Sequence, residues 1–297
     1  MPFRRRDRPP PGWSPSSDPR AWSPAPAPLP ARRRRRAATV LPWLVVLTVA
    51  AVYGTRWLPA LGVEAPWLAL VPASARDHPR PGVEEADGRL APAVVPATPA
   101  TSFAFLATQR DSTGATVPVT WSPCRPIHVV VDPTGAPADF AAQVQAATAE
   151  LAAATGLTFV DDGVVAEPAD PDRDAFLPDR YGDRWAPVLV RFADAATVPS
   201  LAGDVVGVGG PQSVTDARGR TSHVTGVVYL DTDLLRPGLT ATPWPAVLRH
   251  ELAHLVGLDH VDDPTQLMNP VATVSTFQAG DLAGLAALGQ GACAPGV

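Results

Sequence analysis

Proline sets the first limit on this chain. Nineteen of its 36 prolines fall in the first 100 of 297 residues. That density breaks helices, removes backbone donors and leaves too little aliphatic surface for a packed core. Folding is therefore expected to begin only after about residue 100, and the remaining length suits one domain. Charge divides the chain in the same way. Residues 1–36 hold ten arginines against Asp7 and Asp18, a balance of +8; the net charge is −5, so the rest carries −13. All 24 basic residues are arginine, which points to a coding bias rather than a physical need. An acidic folded part excludes a nucleic-acid-binding domain, because neutralising phosphates requires clustered surface cations.

Four segments follow from this division. Residues 1–36, rich in Arg and Pro and ending in Arg32 to Arg36, read as a disordered cytoplasmic tail. Residues 37–57 read as a transmembrane signal-anchor: no charge occurs from Ala37 to Thr55, and Trp43, Tyr53 and Trp57 lie near the ends. The run is at the short end of the roughly 17–25 apolar residues a spanning helix needs. Five arginines on its N-terminal flank put the tail inside and the rest outside, making a single-pass cell-membrane protein. The alternative is a cleavable signal peptide and a secreted product, with Ala73-Ser74-Ala75 as the cleavage site. That site lies about 20 residues beyond the apolar run, whereas such sites normally follow closely. A second apolar patch, Trp57 to Val71, is interrupted by Pro59, Gly62, Glu64 and Pro66 and is not expected to span. Residues 58–100 read as a Pro/Ala-rich extracellular linker, and 101–297 as the folded domain.

Within 101–297 the pattern predicts an α/β fold. Strand signals lie at Ile127 to Val131, Leu157 to Val160, Val188 to Phe192, Val205 to Val208 and Val224 to Leu230. Helices are expected from Pro137 to Thr155, with Phe140, Val144 and Leu151 inward and Gly156 as the stop, from about Pro245 to Val256, and from Gly280 to Leu288.

The chemistry is concentrated in residues 250–260, which read HELAHLVGLDH. On a helix, His250 and His254 stand four residues apart on one face, so both can reach one metal ion. Glu251 projects beside them and can act as a general base toward water without ligating. Gly257 can take the left-handed conformation that ends a helix and turns the chain back, bringing His260 to the same ion. Three imidazoles leave a fourth position open, which is the arrangement of a catalytic zinc site. With six His and six Glu in the chain, HExxH alone would arise by chance in about two or three sequences per thousand, and Gly257 with His260 makes chance far rarer.

This HExxHxxGxxH segment resembles that of the metzincin metallopeptidases, most closely the matrixin-type branch found in bacterial secreted or membrane-anchored proteins. The family's methionine turn is matched by Met268 in Gln266-Leu267-Met268-Asn269-Pro270, eight residues after His260. Its closing helix is matched by Gly280 to Gly289. The resemblance covers about residues 120–295. It implies an α+β zincin-type fold: a twisted mixed sheet, an active-site helix and a C-terminal helix, preceded here by the tail and the transmembrane helix. It also implies one catalytic Zn2+ and a protein or peptide substrate that binds extended along an edge strand. By order along the chain that edge is Val205, Val206, Gly207, Val208 and Gly209, and Pro270 to Phe277 would wall the pocket beyond the scissile bond. Neither a PRCGxPD-like switch nor the His and Asp set of a second, structural zinc is found. His128 and His223 are expected to be ordinary strand residues. Calcium is possible near Asp161, Asp162, Asp231 and Asp233, but nothing in the sequence supports it over solvated turns. Asp259 or Asp262 are candidates for orienting a ligand imidazole.

Cys124 and Cys293 are the only cysteines, and in an oxidising compartment they are expected to form a disulfide. The alternative is Cys124 as a latent zinc ligand. The function expected is zinc-dependent hydrolysis of peptide bonds in extracellular or cell-surface proteins. A non-catalytic, zinc-stabilised extracellular binding module is the alternative, and a membrane-tethered interaction protein acting through its arginine tail is a third.

Overall fold

The computed structural model describes residues 72–96, 98–238, 242–271 and 273–297. The expected disordered tail, the signal-anchor at 37–57 and the first part of the linker lie outside the described residues. Among the described residues no helix is long and apolar enough to cross a membrane.

Among the described residues the fold is mixed α/β, with ten strands and four α-helices. The strands are β1 (Ala104–Phe105), β2 (Thr108–Arg110), β3 (Thr116–Pro118), β4 (Thr120–Trp121), β5 (Ile127–Asp132), β6 (Phe159–Val164), β7 (Val188–Ala193), β8 (Gly207–Thr215), β9 (Thr221–Asp231) and β10 (Leu258–Asp259). The helices are α1 (Phe140–Thr155), α2 (Pro178–Tyr181), α3 (Trp244–Val256) and α4 (Ala279–Leu288). The central sheet runs β4-β9-β7-β5-β6, and β8 pairs with β9. Every pairing is parallel except β8 with β9. Along β9, β8 occupies one side from Thr221 to Leu230, while β4 and β7 share the other. Among the described residues β8 and β6 are therefore edge strands, and the short β4 is paired on one side only.

Sequence dictates this layering. β5 and β7, reading IHVVVD and VLVRFA, are apolar almost throughout, as strands covered on both faces must be. Val129, Val131, Val190, Phe192, Val228 and Leu230 point to one face and pack under α1, α3 and α4. Val130, Leu189 and Tyr229 point to the other, beneath the turn holding Val198 and Leu201. In α1 the buried Phe140, Val144, Ala147, Leu151 and Ala154 form a stripe of helical period, and Gly156 at φ 70° closes the helix as expected. The element starts differ modestly from the sequence reading. α1 begins at Phe140 rather than Pro137, and β6 extends to Val164. β8 starts at Gly207 and reaches Thr215, so Val205 and Val206 precede it.

The linker is where the expectation needs correction. Order is not confined to the residues after about 100: residues 76–96 lie along the domain. Arg76 pairs with Asp183 at 2.7 Å, and Arg89 Nη1 donates to the Gly289 carbonyl at 2.9 Å. The backbone N–H groups of Ala86 and Leu90 donate to the carbonyls of Cys124 and Pro123. Glu85 accepts from Ser122 Oγ at 2.6 Å and pairs with Arg125 at 3.0 Å, both side chains being buried. A Cβ at Gly156 would stand 2.2 Å from the Pro92 carbonyl oxygen. Proline forbids helix here but not an extended strap held by side chains. The strap crosses the Cys124–Cys293 disulfide, whose Cα atoms are 5.2 Å apart. Cys124 is thus committed to the crosslink and is not a latent metal ligand.

Candidate metal centre

α3 carries WPAVLRHELAHLV, with Pro245 in its first turn, where a missing N–H costs nothing. His250 and His254 project from one face and are buried, at 8% and 7% exposure. Gly257, at φ 126°, ends the helix, and a Cβ there would meet Leu288 at 3.1 Å. The chain then forms β10 and swings back, so the exposed His260 faces the helix. The three Nε2 atoms lie 3.0 to 3.1 Å from one another.

The contact between His250 and His254 is not a hydrogen bond. His250 Nδ1 is 2.7 Å from the Leu267 carbonyl and His254 Nδ1 is 2.7 Å from the Leu258 carbonyl. A carbonyl only accepts, so each Nδ1 must carry its proton and each Nε2 must present a lone pair. Burial holds both imidazoles neutral: it lowers His250 and brings His254 down to about 4. Two such lone pairs 3.1 Å apart repel unless a cation lies between them. Tetrahedral zinc with nitrogen at about 2.0–2.1 Å sets its ligand atoms about 3.3 Å apart, close to what is seen. The residues present therefore fit a zinc ion. The acceptors that orient the imidazoles of His250 and His254 are these backbone carbonyls rather than the suggested carboxylates. Asp259 instead accepts the backbone N–H of His260 at 2.8 Å.

Glu251 sits on the side of α3 that meets β8 and is 5% exposed. Burial pushes its carboxyl up to about 8, opposed by the backbone N–H of Gly209. The approach depends on glycine: a Cβ at Gly207 would stand 2.7 Å from Glu251 Oε1, and one at Gly209 would stand 2.4 Å from the Glu251 carbonyl oxygen. The segment Val205 to Gly209 thus divides. Gly207, Val208 and Gly209 open the edge strand β8. Val206 accepts the N–H of Asp231 at 2.9 Å, and Val205 is 40% exposed.

Met268 is buried in the core, in the turn whose Leu267 carbonyl receives His250. That turn is fastened by Asp281, which sequence reasoning missed. Asp281 is 1% exposed and accepts the N–H groups of Leu267 at 2.8 Å, Met268 at 3.2 Å and Gln278 at 2.8 Å. The signal available was the Gln278–Asp281 capping box at the start of α4. In the segment after Met268, Phe277 packs against the core, while Val271 is 73% exposed.

The remaining expected residues fall away from the triad. His128 in β5 contacts Asp162 at 2.8 Å. His223 in β9 is buried, with Nδ1 2.8 Å from Ser213 Oγ, and burial takes it to about 4. Asp161 accepts from Gln145, Asp162 pairs with Arg184, Asp231 accepts the N–H of Asp233, and Asp233 pairs with Arg236. Among the described residues the His250, His254 and His260 group is the one with three nitrogen donors converging for a metal. Neither a protein-family model nor any curated protein matches the chain.

Proposed function

We propose that the chain is a zinc-dependent endopeptidase of the metzincin type, close to its matrixin branch, hydrolysing peptide bonds of extracellular or cell-surface proteins. The observation that carries this reading is the convergence of three imidazole Nε2 atoms beside a buried carboxylate and an edge strand. His250, His254 and His260 would hold the ion. Zinc, when bound, lowers the pKa of water and polarises a substrate carbonyl.

The chain's own residues supply the rest. Glu251, buried beside the histidines on α3, is placed to act as general base. It takes the proton of the attacking water and returns it to the leaving amine. The unpaired edge of β8 offers backbone N–H and C=O groups to an extended peptide, which fixes the scissile bond by adding a strand. The Leu267 and Leu258 carbonyls keep two ligand rings in the productive tautomer. The fold reading belongs to the same proposal: a zincin-type domain with α3 as active-site helix and α4 as closing helix. An exported domain, anchored through 37–57 or released by cleavage, agrees with the disulfide, which persists in oxidising compartments.

The test uses purified chain, wild type and Glu251→Gln, assayed for bound zinc and for cleavage of a mixed peptide library. Equimolar zinc in both, with cleavage by the wild type alone, is expected. Turnover should fall by about 10²–10⁴-fold in the variant, the usual size of a general-base contribution. Zinc in both with cleavage in neither would favour a zinc-stabilised binding module. A wild type that binds no metal ends the proposal.

A further inference from the structure

His250 and His254 are fixed by the helix that carries them. His260 is not: it lies beyond the helix end, with an exposed ring, in a stretch whose only regular structure is the two-residue β10. We infer that residues 102–106, far upstream in the chain, form a latch that holds this third ligand in place and so sets the metal affinity of the site. The inference rests on the metal-site reading above.

Three contacts bracket His260 from this side. β1 pairs antiparallel with β10, Ala104 opposite Asp259 and Phe105 opposite Leu258. The Leu106 N–H donates to the Gly257 carbonyl at 3.0 Å, at the point where the chain leaves α3. Beyond the ligand, Ser102 Oγ donates to Asp263 Oδ2 at 2.8 Å. The latch thus touches the ligand loop before and after His260. On the opposite side the loop is tied to the methionine turn, through Val261 N–H to the Met268 carbonyl and Asn269 Nδ2 to the Val261 carbonyl, each at 3.0 Å.

The latch is itself seated firmly. A Cβ at Gly280 would stand 2.3 Å from the Ser102 carbonyl oxygen, and one at Gly284 would stand 2.8 Å from Phe103 Cβ, so α4 presents two glycines where the segment lies. Phe103 and Phe105 stack on each other with ring centroids 5.4 Å apart and pack against the main core. None of these residues belongs to the HExxHxxGxxH segment. They are positioning residues, acting through the backbone at 257–263. Loss of such outer contacts typically weakens metal binding about 10–100-fold.

The experiment uses the full chain as wild type, Ser102→Ala and Leu106→Pro, the last removing the N–H that reaches Gly257. Zinc dissociation constants are measured by competition with a chromogenic chelator. Thermal unfolding of the metal-free chain and the visible spectrum of the cobalt-loaded chain are recorded beside them. The latch predicts a dissociation constant raised about 10–100-fold for Leu106→Pro and by less for Ser102→Ala, with an altered cobalt spectrum and little change in metal-free unfolding. If Leu106→Pro fails to fold, Ser102→Ala, which loses one hydroxyl, decides alone. Zinc held with equal affinity by the wild type and every folded variant overturns the latch and leaves the peptidase reading standing. A wild type that holds no zinc overturns both.

Discussion

At the scale of single residues, two glycines of β8 set how closely this strand approaches Glu251. A Cβ added at Gly207 meets the flexible end of Glu251, 2.7 Å from Oε1 and 2.8 Å from Cγ, together with Val247 Cγ1 at 2.9 Å. Gly207→Ala should therefore displace the carboxylate while α3 stays in place. A misplacement of about 1 Å can cost about 10²-fold in rate. Steady-state kinetics should show a reduced kcat with undiminished bound zinc. At Gly209 the same methyl meets the Glu251 backbone at 2.4 Å, where nothing can yield without separating strand from helix. The zinc motif was legible because its spacing is that of one helical face, with a glycine where the turn must come. The role of Gly207 and Gly209 was not, because the approach of β8 to α3 is a property of two elements distant in sequence.

At the scale of elements, the helices and central strands were readable from periodicity, and their observed limits depart from the expected ones by a few residues. The strap was not readable. Proline composition argues correctly against helix, yet it says nothing about whether an extended segment finds partners, and those partners are lone charges scattered over the domain. Glu85 is the clearest of them, a buried carboxylate facing the buried Arg125 guanidinium at 3.0 Å. Arg125 also donates to the carbonyls of Ala294 and Val297. Glu85→Ala removes the countercharge and leaves the cation in place, a change that typically costs about 3–5 kcal/mol. Thermal or denaturant unfolding should report it. Loss of less than about 1 kcal/mol would mean the strap is a surface ornament rather than part of the fold.

At the scale of the whole molecule, stability should depend on pH through one mixed-charge network. The Glu84 carboxylate, 3.4 Å from its Nε2, raises His128 above its ordinary value of 6.5 against the opposing effect of burial, and Asp162 assists. His128 in turn lowers Glu84. Burial alone would raise Asp162, but His128 and Arg184 outweigh it and hold the carboxyl low. A raised imidazole contributes fully below its unfolded pKa and loses its contribution as pH rises through the folded value; the depressed carboxylates do the reverse on the acid side. The network is therefore most stabilising between these limits, at about pH 5–6.5. His128→Asn should destabilise the chain there by about 1–3 kcal/mol, the usual worth of hydrogen bonds to charged groups. The gap between the two proteins should close at alkaline pH. Parallel melting curves across that range would check it, and a gap that widened with rising pH would contradict the assignment.

The disulfide has one further consequence. Cys124 and Cys293 are 169 residues apart, and between them lie the central sheet from β5 onward, the edge strand and all three metal ligands. On the proposed peptidase reading, the connection at 194–206 is a candidate for self-cleavage. A single self-inflicted cut anywhere inside that ring releases no fragment, since the two pieces stay covalently joined. Chain cut in this way would migrate at full size on a gel until the sample is reduced, and only then separate into its parts.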